Sequence, residues 1–145
     1  TEATDFSEFK GDMEARDQDS RAGAGTICKT SKGKNPQVVV SAGLTGSSKV
    51  VAYTQIPGYT DADKPKQLKT MEFVIRDGAR VRLMADMTIR DLDLQTKNVE
   101  LDLNGHTLTI RSTDHKDGRG WAEGATVSTT GQIVWKSAGF VISVR

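Results

Sequence analysis

The sequence predicts an all-β solenoid, a stack of short coils closed at its start by an amphipathic helix. Three observations predict it. From residue 26 onward helical periodicity gives way to short alternating runs separated by Gly, Asn, Asp and Lys. An internal repeat brings Val81-Arg82-Leu83-Met84 onto Val99-Glu100-Leu101-Asp102 at an offset of 18 residues (99 − 81). The first 20 or so residues alone carry helical spacing.

In that first segment, Asp5 followed by Glu8 resembles a capping box, and Phe6, Phe9 and Met13 recur along one face. Gly11 weakens the helix by roughly 1 kcal/mol relative to Ala. The spacing predicts one helix over residues 5–18, ended by Ala22-Gly23-Ala24-Gly25. Strands follow at 26–30, Val38–Ser41, Lys49–Thr54, Met71–Arg76, Arg80–Met84, Met87–Leu94, Val99–Leu103, Thr107–Arg111, Thr126–Ser128, Gln132–Trp135 and Phe140–Val144. Residues 55–69 and 112–124 lack a pattern and read as surface excursions. The chain is then a single domain over 1–145, with 1–25 as capping helix and turn and 26–145 as β coils.

The repeat carries the architecture. A single coil is too thin to bury its own inward face, so stacking supplies the core. With the offset of 18, Val81 and Leu83 stack on Val99 and Leu101, and Arg82 lies beside Glu100. Met87-Thr88-Ile89 falls near His106-Thr107-Leu108 with one extra residue in the second copy. An alternative remains open. Asn104-Gly105 between Leu101/Leu103 and Leu108/Ile110 is a strong antiparallel hairpin signal, which would build a β-sandwich.

The stretches Gly78-Ala79-Arg80-Val81-Arg82-Leu83, Met87-Thr88-Ile89 and Val99-Glu100-Leu101-Asp102-Leu103-Asn104-Gly105-His106-Thr107-Leu108-Thr109-Ile110 resemble right-handed parallel β-helix proteins of the pectin-lyase-like type. The segment Thr4–Lys10 is similar to the helix that plugs the first coil in that superfamily. The resemblance spans residues 5–30 and 70–145. It implies a right-handed parallel β-helix with an N-terminal cap, and a secreted or cell-surface bacterial setting. It hardly implies a reaction, because members include lyases, hydrolases, adhesins and stalks. The chain has room for only about five or six coils at ~20 residues each, which is short for an enzyme of that superfamily.

Composition narrows the function classes. Twenty Lys plus Arg against 19 Asp plus Glu leave a net charge of +1, so neither a nucleic-acid footprint nor a polybasic anchor is expected. No apolar run approaches the ~20 residues of a membrane span, and the first residues carry no basic-then-apolar signal. Cys28, the single cysteine, cannot form an internal disulfide and reads as a small packed residue.

Chemical motifs are sparse. His106 and His115 stand nine apart without a metal-ligand pattern, His106 as a turn residue and His115 as a solvated one in Asp114-His115-Lys116-Asp117. Asp91, Asp93 and Asp102 point outward and read as solubility charges, with Asp93 and Asp102 on different faces. No phosphate loop or nucleophile elbow occurs. The expectation is therefore no catalytic residue, no metal and no cofactor. Trp121, Tyr53 and Tyr59 are the candidate contacts for a glycan or protein partner. Phe140, Ile142 and Val144 form an apolar β-prone segment suited to edge pairing with a second copy or with the remainder of a longer chain. The expected function is a non-enzymatic structural or adhesive module. The alternatives are a polysaccharide lyase or hydrolase, for which Asp86, Asp91, Asp93, Asp102, Arg82 and Arg90 would have to cluster, and a carbohydrate-binding module.

Overall fold

The computed structural model describes residues 23–56 and 68–136. The helix expected over 5–18, Tyr59 and the segment Phe140, Ile142 and Val144 lie outside the described residues. Eleven strands are described: β1 (Gly25–Lys29), β2 (Gln37–Ser41), β3 (Thr54–Ile56), β4 (Glu72–Arg76), β5 (Arg80–Leu83), β6 (Met87–Ile89), β7 (Asp91–Leu94), β8 (Glu100–Asp102), β9 (Thr107–Ile110), β10 (Thr126–Val127) and β11 (Gln132–Trp135). The described residues are essentially all-β.

The strands form three sheets, ordered β1-β2-β4-β7, β3-β5-β8-β10 and β6-β9-β11. Of the eight ladders, seven are parallel and one, β1 with β2, is antiparallel. The chain visits the sheets in rotation. β4, β5 and β6 lie in the first, second and third sheets, and β7, β8 and β9 repeat the sequence. Successive passes are separated by 19 residues in the first sheet (Phe73 to Leu92), 20 in the second (Val81 to Leu101) and 21 in the third (Met87 to Leu108).

That register corrects the offset of 18. Val81 pairs with Leu101, and Arg82 with Asp102 rather than Glu100. Met87 pairs with Leu108 rather than His106. A slip of two residues preserves the in–out alternation, so the apolar pattern alone does not fix the choice. Charge separates the two registers. The observed one aligns Arg80 with Glu100 and Arg82 with Asp102, two favourable cross-strand pairs in place of one.

Three further expectations change. Met87–Leu94 is not one strand but two, in different sheets, with exposed Arg90 at the bend between them. The strand expected over Lys49–Thr54 forms instead at Thr54–Ile56, because Val50 is held by its N–H to the Gly78 carbonyl at 2.9 Å. Asn104-Gly105 adopts the positive φ of a tight turn (50° and 79°), yet β8 and β9 belong to different sheets, so the turn is a corner and not a hairpin.

The core is one apolar cluster built from the inward residues of all three sheets. Ile75, Val81, Leu83, Ile89, Leu92, Leu94, Leu101 and Ile110 are each at most 1% exposed. Burying such a side chain is worth about 1.5–3 kcal/mol. A polar corner closes one side. Buried Asn98 donates to the carbonyls of Ser48 (2.6 Å) and Leu44 (3.3 Å) and accepts from the Thr96 hydroxyl, fastening residues 44–48 to the turn before β8. Cys28 is exposed on β1, which corrects the packed reading: β1 is the antiparallel outer strand of its sheet and turns Thr26 and Cys28 to solvent.

The stretch 112–124 folds back on the first sheet. A 3-10 turn at Lys116–Gly118 redirects it. The Trp121 indole N–H then donates to the Leu92 carbonyl at 2.7 Å and the Ala122 N–H to the Leu94 carbonyl at 2.8 Å. These donors occupy the ladder positions that β7 would otherwise leave open, a common way of blunting a strand edge.

Candidate functional site

Register sets what the outer face of the first sheet presents. Lys29, Gln37, Glu72 and Asp91 form one row across β1, β2, β4 and β7, and Ile27, Val39, Val74 and Asp93 form the next. Val39 and Val74 are buried yet stand outside the main core cluster, because they floor a groove on this face. The groove measures about 380 Å³, with Glu72, Arg76, Asp91, Asp93, Gln95 and His115 among its walls.

His115 is the organising side chain. Its Nδ1 lies 2.6 Å from Asp91 Oδ2 and its Nε2 lies 3.7 Å from Asp93 Oδ1. An ionised carboxylate only accepts, so the proton of this hydrogen bond is assigned to Nδ1. Asp91 is 6% exposed, and its Oδ1 is buried without a hydrogen-bond partner among the described residues. These placements correct two expectations. His115 is half-buried and paired rather than solvated, and Asp91 is a buried carboxylate rather than a solubility charge. An imidazole oriented by a buried carboxylate beside a second carboxylate can move a proton to or from a group lying in the groove.

A second cluster covers the outer face of the second sheet. The Arg80 Nε donates to Glu100 Oε2 at 3.0 Å, and the Arg82 Nε donates to Asp102 Oδ2 at 2.7 Å. Tyr53 sits against both guanidinium groups, each 4.0 Å from the ring centroid, while its hydroxyl donates to Glu100 and accepts from Arg80 at 2.6 Å. Lys49 adds a longer contact to Glu100 at 3.7 Å. Burial by itself would push the Glu100 carboxyl up. The hydrogen bonds from Arg80 and Tyr53, with the charges of Arg80 and Lys49, outweigh it and hold the group below the usual carboxylate range. Asp102 behaves likewise: burial opposes, and bonds from Arg82, the Asn104 N–H and Ser128 prevail. The hydrogen bond to Glu100, helped by burial, raises the Tyr53 phenol above its ordinary value.

Of the aromatic candidates, Tyr53 therefore lies within this ion-pair cluster. Trp121 is half-buried against the core, 6.1 Å from Trp135 between ring centroids, and spends its N–H on Leu92. Asp86 is beside His106 at 3.4 Å, and Arg90 is beside Glu72 at 3.5 Å. Of the six residues whose clustering would favour an enzyme, Asp91 and Asp93 share the groove, whereas Arg82 and Asp102 lie on the second sheet. Among the described residues, no group of three or more His, Cys, Asp or Glu side chains is arranged to hold a metal ion.

The His115–Asp91 pair joins residues 24 apart through the fold-back of 112–124. Nothing in the local sequence signals it, because the fold-back is set by donors aimed at the β7 edge.

No protein-family model matches the chain, and neither a curated protein nor a solved structure matches it.

Proposed function

We propose that the chain is a right-handed parallel β-helix module of the pectin-lyase-like type, acting without catalysis as a rigid structural or adhesive element of a secreted or cell-surface bacterial protein. The observation that carries it is the rotation through three sheets with returns of 19, 20 and 21 residues, the spacing expected of stacked coils. Right-handed winding is the rule for parallel crossovers. The outward charges support a load-holding wall, since Arg80 with Glu100 and Arg82 with Asp102 tie neighbouring coils together. The secreted setting rests on the resemblance of Leu101-Asp102-Leu103-Asn104-Gly105-His106-Thr107-Leu108-Thr109-Ile110 to such modules.

A second reading, a polysaccharide hydrolase, draws on the Asp91–His115 pair facing the groove beside Asp93. One experiment separates the two. The full chain is incubated with insoluble and soluble polysaccharides, and both cosedimentation and new reducing ends are measured. The adhesive module cosediments and releases no ends. End release that is lost in His115→Gln would establish the hydrolase instead, and absence of cosedimentation would remove the adhesive role.

A further inference from the structure

The corner that follows the third sheet carries cations in register. Arg90 follows β6, Arg111 follows β9 and Lys136 follows β11. Ile89 pairs with Ile110, and Ile110 with Trp135, so the three cations occupy successive positions up the stack. The backbone agrees: the Arg111 N–H donates to Ile89 O at 3.1 Å and the Lys136 N–H to Ile110 O at 2.7 Å. Neighbouring strands are about 4.8 Å apart, and like charges directly opposite one another are unfavourable. Arg90 has Glu72 as a partner, with 3.5 Å between Nε and Oε1. Among the described residues, Arg111 and Lys136 have no ion-pair partner.

Beside Arg90 and Arg111 lies a pocket of about 460 Å³, walled also by Lys69, Ser112 and Thr113, with Asp114 on its lining. With Asp114 on the lining and Glu72 beside Arg90, three cations face two carboxylates and leave a surplus of one positive charge (3 − 2). The Ser112 N–H is fixed to Arg90 O at 2.7 Å, which anchors the serine at the corner. Its Oγ accepts from the Asp114 N–H at 3.0 Å, so the hydroxyl proton remains available to donate.

We propose that this pocket binds a tetrahedral oxyanion, the phosphate or sulfate group of a small ligand. Guanidinium forks favour oxyanions with paired acceptor oxygens, and a lysine supplies a point charge. Arg90, Arg111, Lys69 and Ser112 bring donors to the pocket from several sides, and the oxygens of a tetrahedral group point in more directions than the two coplanar oxygens of a carboxylate. The positive surplus favours an anion over a neutral ligand. The site adjoins the groove, sharing Asp114 with it, and the proposal does not rest on an adhesive or hydrolytic role.

The test is a titration of the full chain at constant ionic strength with inorganic phosphate, inorganic sulfate, glucose 6-phosphate and acetate. It is read from the amide and arginine side-chain NMR signals. Saturable shifts at Arg90, Arg111 and Ser112 are expected with the tetrahedral anions and not with acetate. Tighter binding of glucose 6-phosphate than of inorganic phosphate would mark an ester as the source, and the reverse would mark the free ion. Arg111→Gln, at an exposed residue with no ion-pair partner among the described residues, should weaken binding about tenfold. Arg90→Lys, which keeps the charge and loses the fork, should weaken it less, and Arg119→Gln, outside the pocket, should leave it unchanged. Unsaturable shifts, equal response to acetate, or full affinity in Arg111→Gln would overturn the proposal.

Discussion

Arg82 stands opposite Asp102 in the parallel ladder of the second sheet, and its Nε donates to Asp102 Oδ2 at 2.7 Å. Two positions earlier Arg80 faces Glu100, and Tyr53 rests against both guanidinium groups. Charge thus selects the register that the hydrophobic alternation leaves open.

Removing the shared acceptor should show what that cluster is worth. Glu100→Gln takes a charged partner from Arg80, Lys49 and the Tyr53 hydroxyl at once. The expected loss is about 1–3 kcal/mol in urea unfolding, because hydrogen bonds to charged groups exceed neutral ones. Val51→Ala, at a side chain 65% exposed, should stay within about 0.5 kcal/mol. Equal effects would show the cluster to be energetically idle.

The same carboxylates set a pH dependence. Glu100 and Asp102 titrate lower in the fold than in the unfolded chain. Between the two values the unfolded chain holds more protons, so stability rises with pH. Their contribution is complete above the ordinary carboxylate range, about pH 4–4.5, and is lost as pH falls through the depressed folded values. In Arg80→Gln/Arg82→Gln the stability gap to wild type should be constant near neutrality and close below about pH 4. A gap that persists unchanged into acid would contradict this account.

Two turn glycines should respond differently to alanine. Both have positive φ, 80° at Gly78 and 79° at Gly105. A Cβ at Gly105 meets nothing within 4 Å, so Gly105→Ala should cost only the left-handed strain of about 1–2 kcal/mol. At Gly78 the new atom would lie 2.6 Å from Ser48 O and 2.9 Å from Leu44 Cβ, so Gly78→Ala should cost clearly more. Thermal unfolding of the two variants side by side decides it.

The edge-covering role of Trp121 is testable by its donor alone. Trp121→Phe keeps an aromatic ring against the core but leaves Leu92 O without the 2.7 Å bond. Stability should fall by about 1–3 kcal/mol, and hydrogen exchange at residues 91–94 should quicken. Unaltered exchange there would mean that the fold-back does not protect β7.

How much of this was legible depends on the range of each interaction. The alternation in Arg80–Leu83 and Thr107–Ile110 identified strands because each reports its own in–out pattern. The register was not legible from that pattern, since a two-residue slip leaves Val81 and Leu83 facing the core. Met87–Leu94 read as one strand because the bend at Arg90 carries no Gly or Pro. The groove was hidden for a different reason: His115 reaches Asp91 only after Trp121 and Ala122 have attached 112–124 to β7. The cation column would have followed from an offset of 21, which superposes Arg90 on Arg111.

Backbone NOE contacts in a labelled sample test the winding most directly. Stacked parallel coils predict contacts between Arg82 and Asp102, between Phe73 and Leu92, and between Thr88 and Thr109. Contacts running instead across Asn104-Gly105, joining Asp102 to Thr107 and Leu101 to Leu108 as paired antiparallel strands, would contradict it.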